Sequence, residues 1–217
     1  MDFDIACCNQ KLTAMFCLFR LILWAILDNS YPNSVPLGVN MEKPKRYHPL
    51  LIVLHWALAF LIILMLLAGM LSLKSMPNNP AKLLPLGFHM SMGILILVLM
   101  LVRIVVRVTT KKPEPATAGN RFLDIVGRLT HYALYVFAIL MAVSGIGIAS
   151  QADLISIVFG ASGAPLPVDF FVYPPRIGHR FTAIILLLLI LLHFGAAMYH
   201  QFFRKDKLLS RMGIGRD

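Results

Sequence analysis

Four long apolar runs dominate the pattern of hydrophobic and polar residues along the chain. They cover roughly residues 50–73, 84–106, 129–149 and 177–203. Each run is long enough to cross the ~30 Å hydrocarbon core of a bilayer at ~1.5 Å per residue. Because lipid offers a backbone no hydrogen-bond partners, these segments must be helical. The pattern therefore predicts an all-α integral membrane protein, built as an up-down four-helix bundle.

The segments that connect the runs differ in character. Residues 74–82 form a short turn rich in Pro and Asn, and residues 109–121 are polar and basic. Residues 152–175 are longer and mix Gly and Pro with several apolar side chains. Gly and Pro interrupt regular structure, so we expect this last segment to be a loop at the membrane surface with a short interfacial helix.

The composition agrees with a membrane protein. Hydrophobic residues make up 59% of the chain and charged residues only 14%, against about 25% charged residues in soluble domains. The net charge of +10 could favour nucleic acid, but the Lys and Arg residues flank the apolar runs. We therefore expect contact with membrane lipid and no nucleic-acid partner. The three cysteines all lie in the first 20 residues, so neither a disulfide framework nor an iron–sulfur cluster is expected.

The distribution of Lys and Arg predicts the orientation. Most of them lie before the first run, between the second and third runs, and after the fourth. Positive charge near membrane spans marks the cytoplasmic side. Both ends of the four-helix body are therefore predicted to be cytoplasmic.

Residues 1–42 do not follow this pattern and are predicted to be an N-terminal extension, separate from a four-helix domain over residues 43–217. Their apolar stretch, residues 12–27, is short and has Arg20 in its middle. It has two interpretations: an interfacial amphipathic helix, or an artefact of the gene start, with the natural chain beginning at Met41. We assign no function to it.

Histidines occupy two levels of the predicted bundle. His179 and His193 are fourteen residues apart, a rise of ~21 Å and a rotation roughly 40° short of four full turns, so they share nearly one helix face. Because successive helices alternate in direction, His193 should lie level with His55, and His179 level with His89. We call these the inner and the outer level.

The same fourteen-residue step recurs in the other three runs. It leads from His55 to Gly69, from His89 to Arg103 and from His131 to Gly145. The inner level would then hold His55, Arg103, His131 and His193. The outer level would hold Gly69, His89, Gly145 and His179.

Two imidazoles from facing helices at each level favour bis-histidine b-type haem in the bundle core. We therefore predict that His55 and His193 bind one haem b, and that His89 and His179 bind a second. The small residues at the outer level would let a helix approach its haem, although ordinary close helix packing is an alternative explanation.

Arg103 suits the carboxylates of an inner haem, because a guanidinium pairs with a carboxylate in a bidentate way. Its alternative role is as a snorkelling anchor at the membrane boundary. For His131, contact with a haem carboxylate, contact with a quinone and a hydrogen bond to a neighbouring helix all stay open.

Other ligand arrangements fit less well. Zinc requires three or four converging ligands, and each level pairs only two histidines. A haem-free transporter or channel usually needs intramembrane carboxylates, which the cores of the runs lack. His48 and His200 form an alternative inner pair, but His200 is ~31 Å along the helix from His179, which would place both sites at the edges of the hydrocarbon.

Several stretches resemble the bacterial cytochrome b561 family. They are "RYHPLLIVLHWALAF", "LGFHMSMGILILVLMLVRIVVR", "THYALYVFAILMAVSGIGIAS" and "HRFTAIILLLLILLHFGAAMYHQFFRKDKLLSRM". The resemblance covers about residues 45–212. It implies a four-helix diheme protein of the bacterial inner membrane that exchanges single electrons with ubiquinone. It also implies that His55 and His193 hold the cytoplasmic-side haem and that His89 and His179 hold the periplasmic-side haem.

The resemblance leaves two functions open. One branch of the family resembles a superoxide oxidase, in which superoxide is the donor at the periplasmic face; His179 and the adjacent Arg180 are then the candidate catalytic residues. Cations near the outer haem would attract a small anion, although ordinary loop charges are the simpler explanation. Another branch implies a diheme electron-transfer subunit that serves a hydrogenase or dehydrogenase, and hence a redox partner subunit.

Overall fold

The computed structural model describes residues 44–114, 117, 119–160, 162–206 and 208–215. The predicted extension over residues 1–42 lies outside the described residues. The described helices are α1 (Pro49–Leu67, continued by π-helical turns over Ala68–Leu73), α2 (Leu83–Thr109, preceded by a 3-10 turn over Pro80–Lys82), α3 (Arg121–Gln151), α4 (Leu154–Val158) and α5 (Pro174–Met198, continued by π-helical turns over Tyr199–Arg204).

Four of these helical segments are long and apolar enough to cross a membrane: Pro49–Leu73, Pro80–Thr109, Arg121–Gln151 and Pro174–Arg204. This confirms the predicted all-α membrane architecture. Large apolar side chains such as Phe60, Leu84 and Phe181 are exposed on the surface of the bundle. In a membrane protein such surfaces face lipid, which is as apolar as the side chains themselves.

Capping side chains set where the helices begin. Helix α3 starts eight residues before the predicted apolar run, because the side-chain oxygen of Asn120 accepts a hydrogen bond from Phe122 N at 2.9 Å. At α1, Nδ1 of His48 accepts from Leu50 N at 3.3 Å, and Pro49 occupies the first helical position. Hydrophobicity alone locates the spans but not these ends.

The long loop after α3 agrees in outline with its prediction. It contains the five-residue helix α4 and a 3-10 turn over Phe170–Val172. This loop is joined to the turn before α2 through Asn78, whose amide donates to the Pro167 carbonyl at 2.9 Å. The buried Lys82 donates in turn to the Asn78 side chain at 2.8 Å. These bonds fix the loops at the outer end of the bundle.

The helices pack unevenly around the core. Helices α3 and α5 run close along each other, α1 packs on α2, and α2 packs on α3. No comparably extensive backbone approach joins α5 to α1 or α2 within the described residues. The backbone of α5, which carries His179 and His193, therefore stands apart from α1, which carries His55, and from α2, which carries His89.

Candidate cofactor site

The outer level is assembled as its spacing predicts. The ring centres of His89 and His179 are 6.3 Å apart, with 70° between the ring planes. A Cβ atom added to Gly69 would lie 3.3 Å from Cε1 of His89, and one added to Gly145 would lie 3.4 Å from Cε1 of His179. Each glycine thus makes room for an imidazole of a neighbouring helix. All four predicted residues meet.

The ring of His179 is held by α3. Its Nδ1 is 3.1 Å from the carbonyl oxygen of Met141 and 3.0 Å from Oγ of Ser144. Ser144 itself donates to that carbonyl at 2.9 Å. Because a carbonyl only accepts, Nδ1 carries the proton, and Nε2 is left to bind a metal. The sequence reasoning missed Ser144; its only sign was its position next to Gly145.

The inner level also holds a histidine pair. The ring centres of His55 and His193 are 6.2 Å apart, with 74° between the planes. His131 joins them: its ring centre is 4.9 Å from that of His193. Its Nδ1 bonds to the carbonyl oxygen of Gly127 at 2.7 Å, one turn back in its own helix. The structure thus brings all three inner histidines together.

Arg103 lies beside this inner group and interacts electrostatically with His55 and His193. Its guanidinium carbon is 5.4 Å from the ring centre of Tyr135, and that of Arg107 is 5.8 Å from the same ring. Tyr135 is 5% exposed. The sequence reasoning missed this tyrosine, although it follows His131 by four residues and so shares its helix face.

The alternative inner pair is engaged elsewhere. His48 caps α1 through its Nδ1. Nδ1 of His200 is 2.6 Å from a carboxylate oxygen of Asp206. No ring contact joins His48 to His200 among the described residues, so the geometry favours His55 and His193.

Both pairs have the spacing that one shared metal requires. Metal–imidazole bonds are about 2 Å long, and a ring centre lies about 1.1 Å behind its nitrogen, given ring bonds near ~1.35 Å. Two rings that bind one ion from opposite sides are then about 6.2 Å apart, centre to centre. The observed values are 6.2 and 6.3 Å. Within the described residues, no group of three or more His, Cys, Asp or Glu side chains could hold one ion.

Cationic side chains surround the outer end. The guanidinium carbons of Arg176 and Arg180 lie 5.4 and 5.8 Å from the ring centre of Phe171, within the range of cation–π attraction. Arg180 is exposed and Arg176 half-buried. Arg176 also interacts electrostatically with His89 and His179. Phe171 was not singled out from the sequence.

Comparisons with known proteins identify the family of this chain. The family described as Prokaryotic cytochrome b561 matches residues 46–215. "Cytochrome b561 homolog 2" of Escherichia coli (strain K12) is 28% identical over 174 residues, 78% of this chain and 92% of the relative. "Cytochrome b562" of Cereibacter sphaeroides is 29% identical over 176 residues, 79% of this chain and 98% of the relative. The match therefore includes all four membrane-spanning helices and both histidine pairs.

Proposed function

The chain belongs to the prokaryotic cytochrome b561 family of membrane electron-transfer cytochromes, and we propose that it carries single electrons between two haems b and delivers them to ubiquinone. The family implies haem b and electron transfer. The presence of two haems, their levels and the quinone are our proposal. The observation that carries it is the pair of ring-to-ring distances, 6.2 and 6.3 Å, at two levels of one bundle.

His55 and His193 would hold one haem at the inner level, and His89 and His179 would hold a second at the outer level. A haem iron held by two imidazoles supplies a one-electron carrier. At the outer level, Gly69 and Gly145 leave space for the ligand rings. Met141 and Ser144 orient His179 and raise its basicity, because they accept the proton of its second ring nitrogen.

At the inner level, Arg103 would supply the positive charge for the carboxylates of a bound haem. Its guanidinium lies against the Tyr135 ring, and its Nε is buried without a hydrogen-bond partner among the described residues, which costs free energy. A bidentate carboxylate would satisfy it. His131 faces His193 edge-on at the same level.

Superoxide is the proposed electron donor, at the outer end. Two superoxide ions would each lose one electron to become O2, and one ubiquinone would take up the two electrons with two protons. Arg176 and Arg180 place two positive charges around Phe171, and Arg180 directly follows His179 in α5. Such a patch raises the local concentration of a small anion. His179 and Arg180 are therefore the proposed catalytic residues.

The proposed orientation follows the positive charges of the sequence. Both ends of the four-helix body would face the cytoplasm, so the outer level would face the periplasm of a bacterial inner membrane. Superoxide formed outside the cytoplasm would then reach His179 without crossing the membrane.

Anaerobic stopped-flow spectroscopy of the purified protein tests the proposal. We expect two haems b per chain, rapid reduction by a pulse of superoxide, and reoxidation when ubiquinone is added. Two haems without reduction by superoxide would favour the alternative, in which a partner dehydrogenase subunit donates the electrons. A protein without haem would contradict the ligand assignment itself.

A further inference from the structure

The last described residues, 208–215, fold back across the inner end of the bundle; we call them the terminal strap. Just before α1, the backbone N–H of Tyr47 donates a hydrogen bond to the Arg211 carbonyl of the strap at 3.2 Å. The Arg211 side chain reaches the loop between α2 and α3 and donates to the Glu114 carbonyl at 2.7 Å. The strap therefore links segments that are distant in sequence.

The strap also binds the residue next to an inner histidine. The indole N–H of Trp56 donates to the Met212 carbonyl at 3.0 Å, across 156 residues of sequence. The rings of Trp56 and His55 are in edge contact, with centres 5.1 Å apart. A tryptophan at a membrane boundary usually directs its N–H to water or lipid head groups. Here that donor bonds to a backbone carbonyl of the same chain, although the Trp56 side chain is itself exposed.

The backbone of the strap is shaped for this contact. Its short 3-10 turn, Ser210–Met212, ends at Gly213 with φ +84°, a left-handed conformation that residues with a Cβ rarely adopt. A Cβ atom on Gly213 would lie 3.2 Å from Cγ2 of Ile52 on α1. Glycine thus lets the strap turn while it packs against the helix that carries Trp56.

We propose that the terminal strap holds Trp56 against His55 through the Met212 carbonyl, and so fixes the inner haem ligand. Trp56 is then a positioning residue. This inference rests on the proposed function, because it takes His55 to be a ligand. If the strap acts in this way, loosening it should let His55 leave the iron more often, while the outer ligands stay bound.

Carbon monoxide measures this opening, because it binds ferrous haem only where an axial ligand has left. We expect Trp56→Phe, which keeps the ring but loses the donor, to raise the CO-reactive fraction about twofold to tenfold, the equivalent of one hydrogen bond. Gly213→Val, which displaces the strap, should do the same. The double variant should add little to either change, because both break one contact.

Two control variants test whether a rise in CO binding comes from the strap and from the inner haem. Gly215→Ala also alters a positive-φ glycine of the strap, but its Cβ would meet nothing within 4 Å, so CO binding should stay at the parent level. In a His193→Ala background the gain from Trp56→Phe should vanish, because the inner pair is already broken. If Gly213→Val does not fold, Trp56→Phe carries the test alone.

The outcomes separate this inference from the proposed function. Two six-coordinate haems in the parent, with CO binding unchanged in Trp56→Phe, would overturn the role of the strap and leave the proposed function standing. A parent protein without two haems would overturn the ligand assignment, whatever the strap does. A rise in CO binding that persists in the His193→Ala background would place the effect at the outer haem and also overturn the inference.

Discussion

The outer and inner histidine pairs have nearly the same geometry in very different surroundings. Their ring centres are 6.3 and 6.2 Å apart, and their ring planes differ by 70° and 74°. The outer pair is enclosed by two glycines, and His179 is hydrogen-bonded to α3. The inner pair has instead a third histidine, a half-buried arginine and the strap-bound Trp56. One spacing rule thus builds both sites, and their neighbours make them different.

Because of these different surroundings, haems bound at the two levels would differ in reduction potential. At the inner level, Arg103 is half-buried, so its charge is screened less than one at the surface and would favour the reduced, less positive iron of a bound haem. At the outer level, Arg180 is exposed and its effect is screened by water, while the hydrogen bonds to His179 make it a stronger donor to ferric iron. This difference would favour electron transfer from the outer level to the inner level.

Removing one histidine ligand should have the largest effect, because it should abolish haem binding at one of the two levels. We expect His179→Ala to lose the outer haem and keep the inner one, and His193→Ala to do the reverse, so that each halves the haem content. The pyridine haemochrome assay of the purified variants measures this. If His200→Ala costs a haem and His193→Ala does not, the inner pair is assigned wrongly.

Filling the glycine spaces should break the outer site alone. A Cβ on Gly145 already comes within 3.4 Å of the His179 ring, so the branched side chain of Gly145→Val should displace that ring. We expect loss of most of the outer haem, measured by redox titration of the optical spectrum. Gly195→Val is the matched control, since nothing lies within 4 Å of its Cβ. Equal losses in both variants would argue for general misfolding.

Reversing one charge should slow the reaction at the outer end without changing haem content. We expect Arg180→Glu to lower the rate of reduction by superoxide about tenfold at low ionic strength, and less as salt is added. Stopped-flow measurements over a salt series test this. Lys45→Glu makes the same charge change at an exposed inner-end position and should have little effect. Equal rates for Arg180→Glu and the parent at low salt would remove the steering role.

The smallest expected effect is a shift in the reduction potential of the outer haem when a hydrogen bond to His179 is removed. Ser144→Ala removes one of two acceptors of the His179 Nδ1 proton, which should raise the outer haem potential by about 20–60 mV, as one hydrogen bond allows. Thr130→Val is the control: its hydroxyl bonds to its own helix at Val126 O, 2.8 Å away, and contacts no histidine in the described hydrogen bonds. A fall in potential, or equal shifts in both variants, would contradict this role for Ser144.

The spans and the grouping into two levels could be predicted because both depend on local periodicity. Length and hydrophobicity determine what can cross a membrane. The fixed rise and rotation of an α-helix then determine that His179 and His193 share a face at two heights. The outer set of Gly69, His89, Gly145 and His179 follows from the same arithmetic, and the structure brings these residues together.

The tertiary structure alone decided the contacts between segments that are distant in the sequence. The hydrogen bond from Trp56 to Met212 spans 156 residues, and that from His179 to the Met141 carbonyl spans 38. Such contacts depend on how each helix is rotated about its axis and on how the ends of the chain pack, and no periodic pattern encodes either. The sequence by itself therefore determined where ligands can lie along each helix. Only packing decided that Ser144 supports the outer ligand and that the terminal strap reaches the inner one.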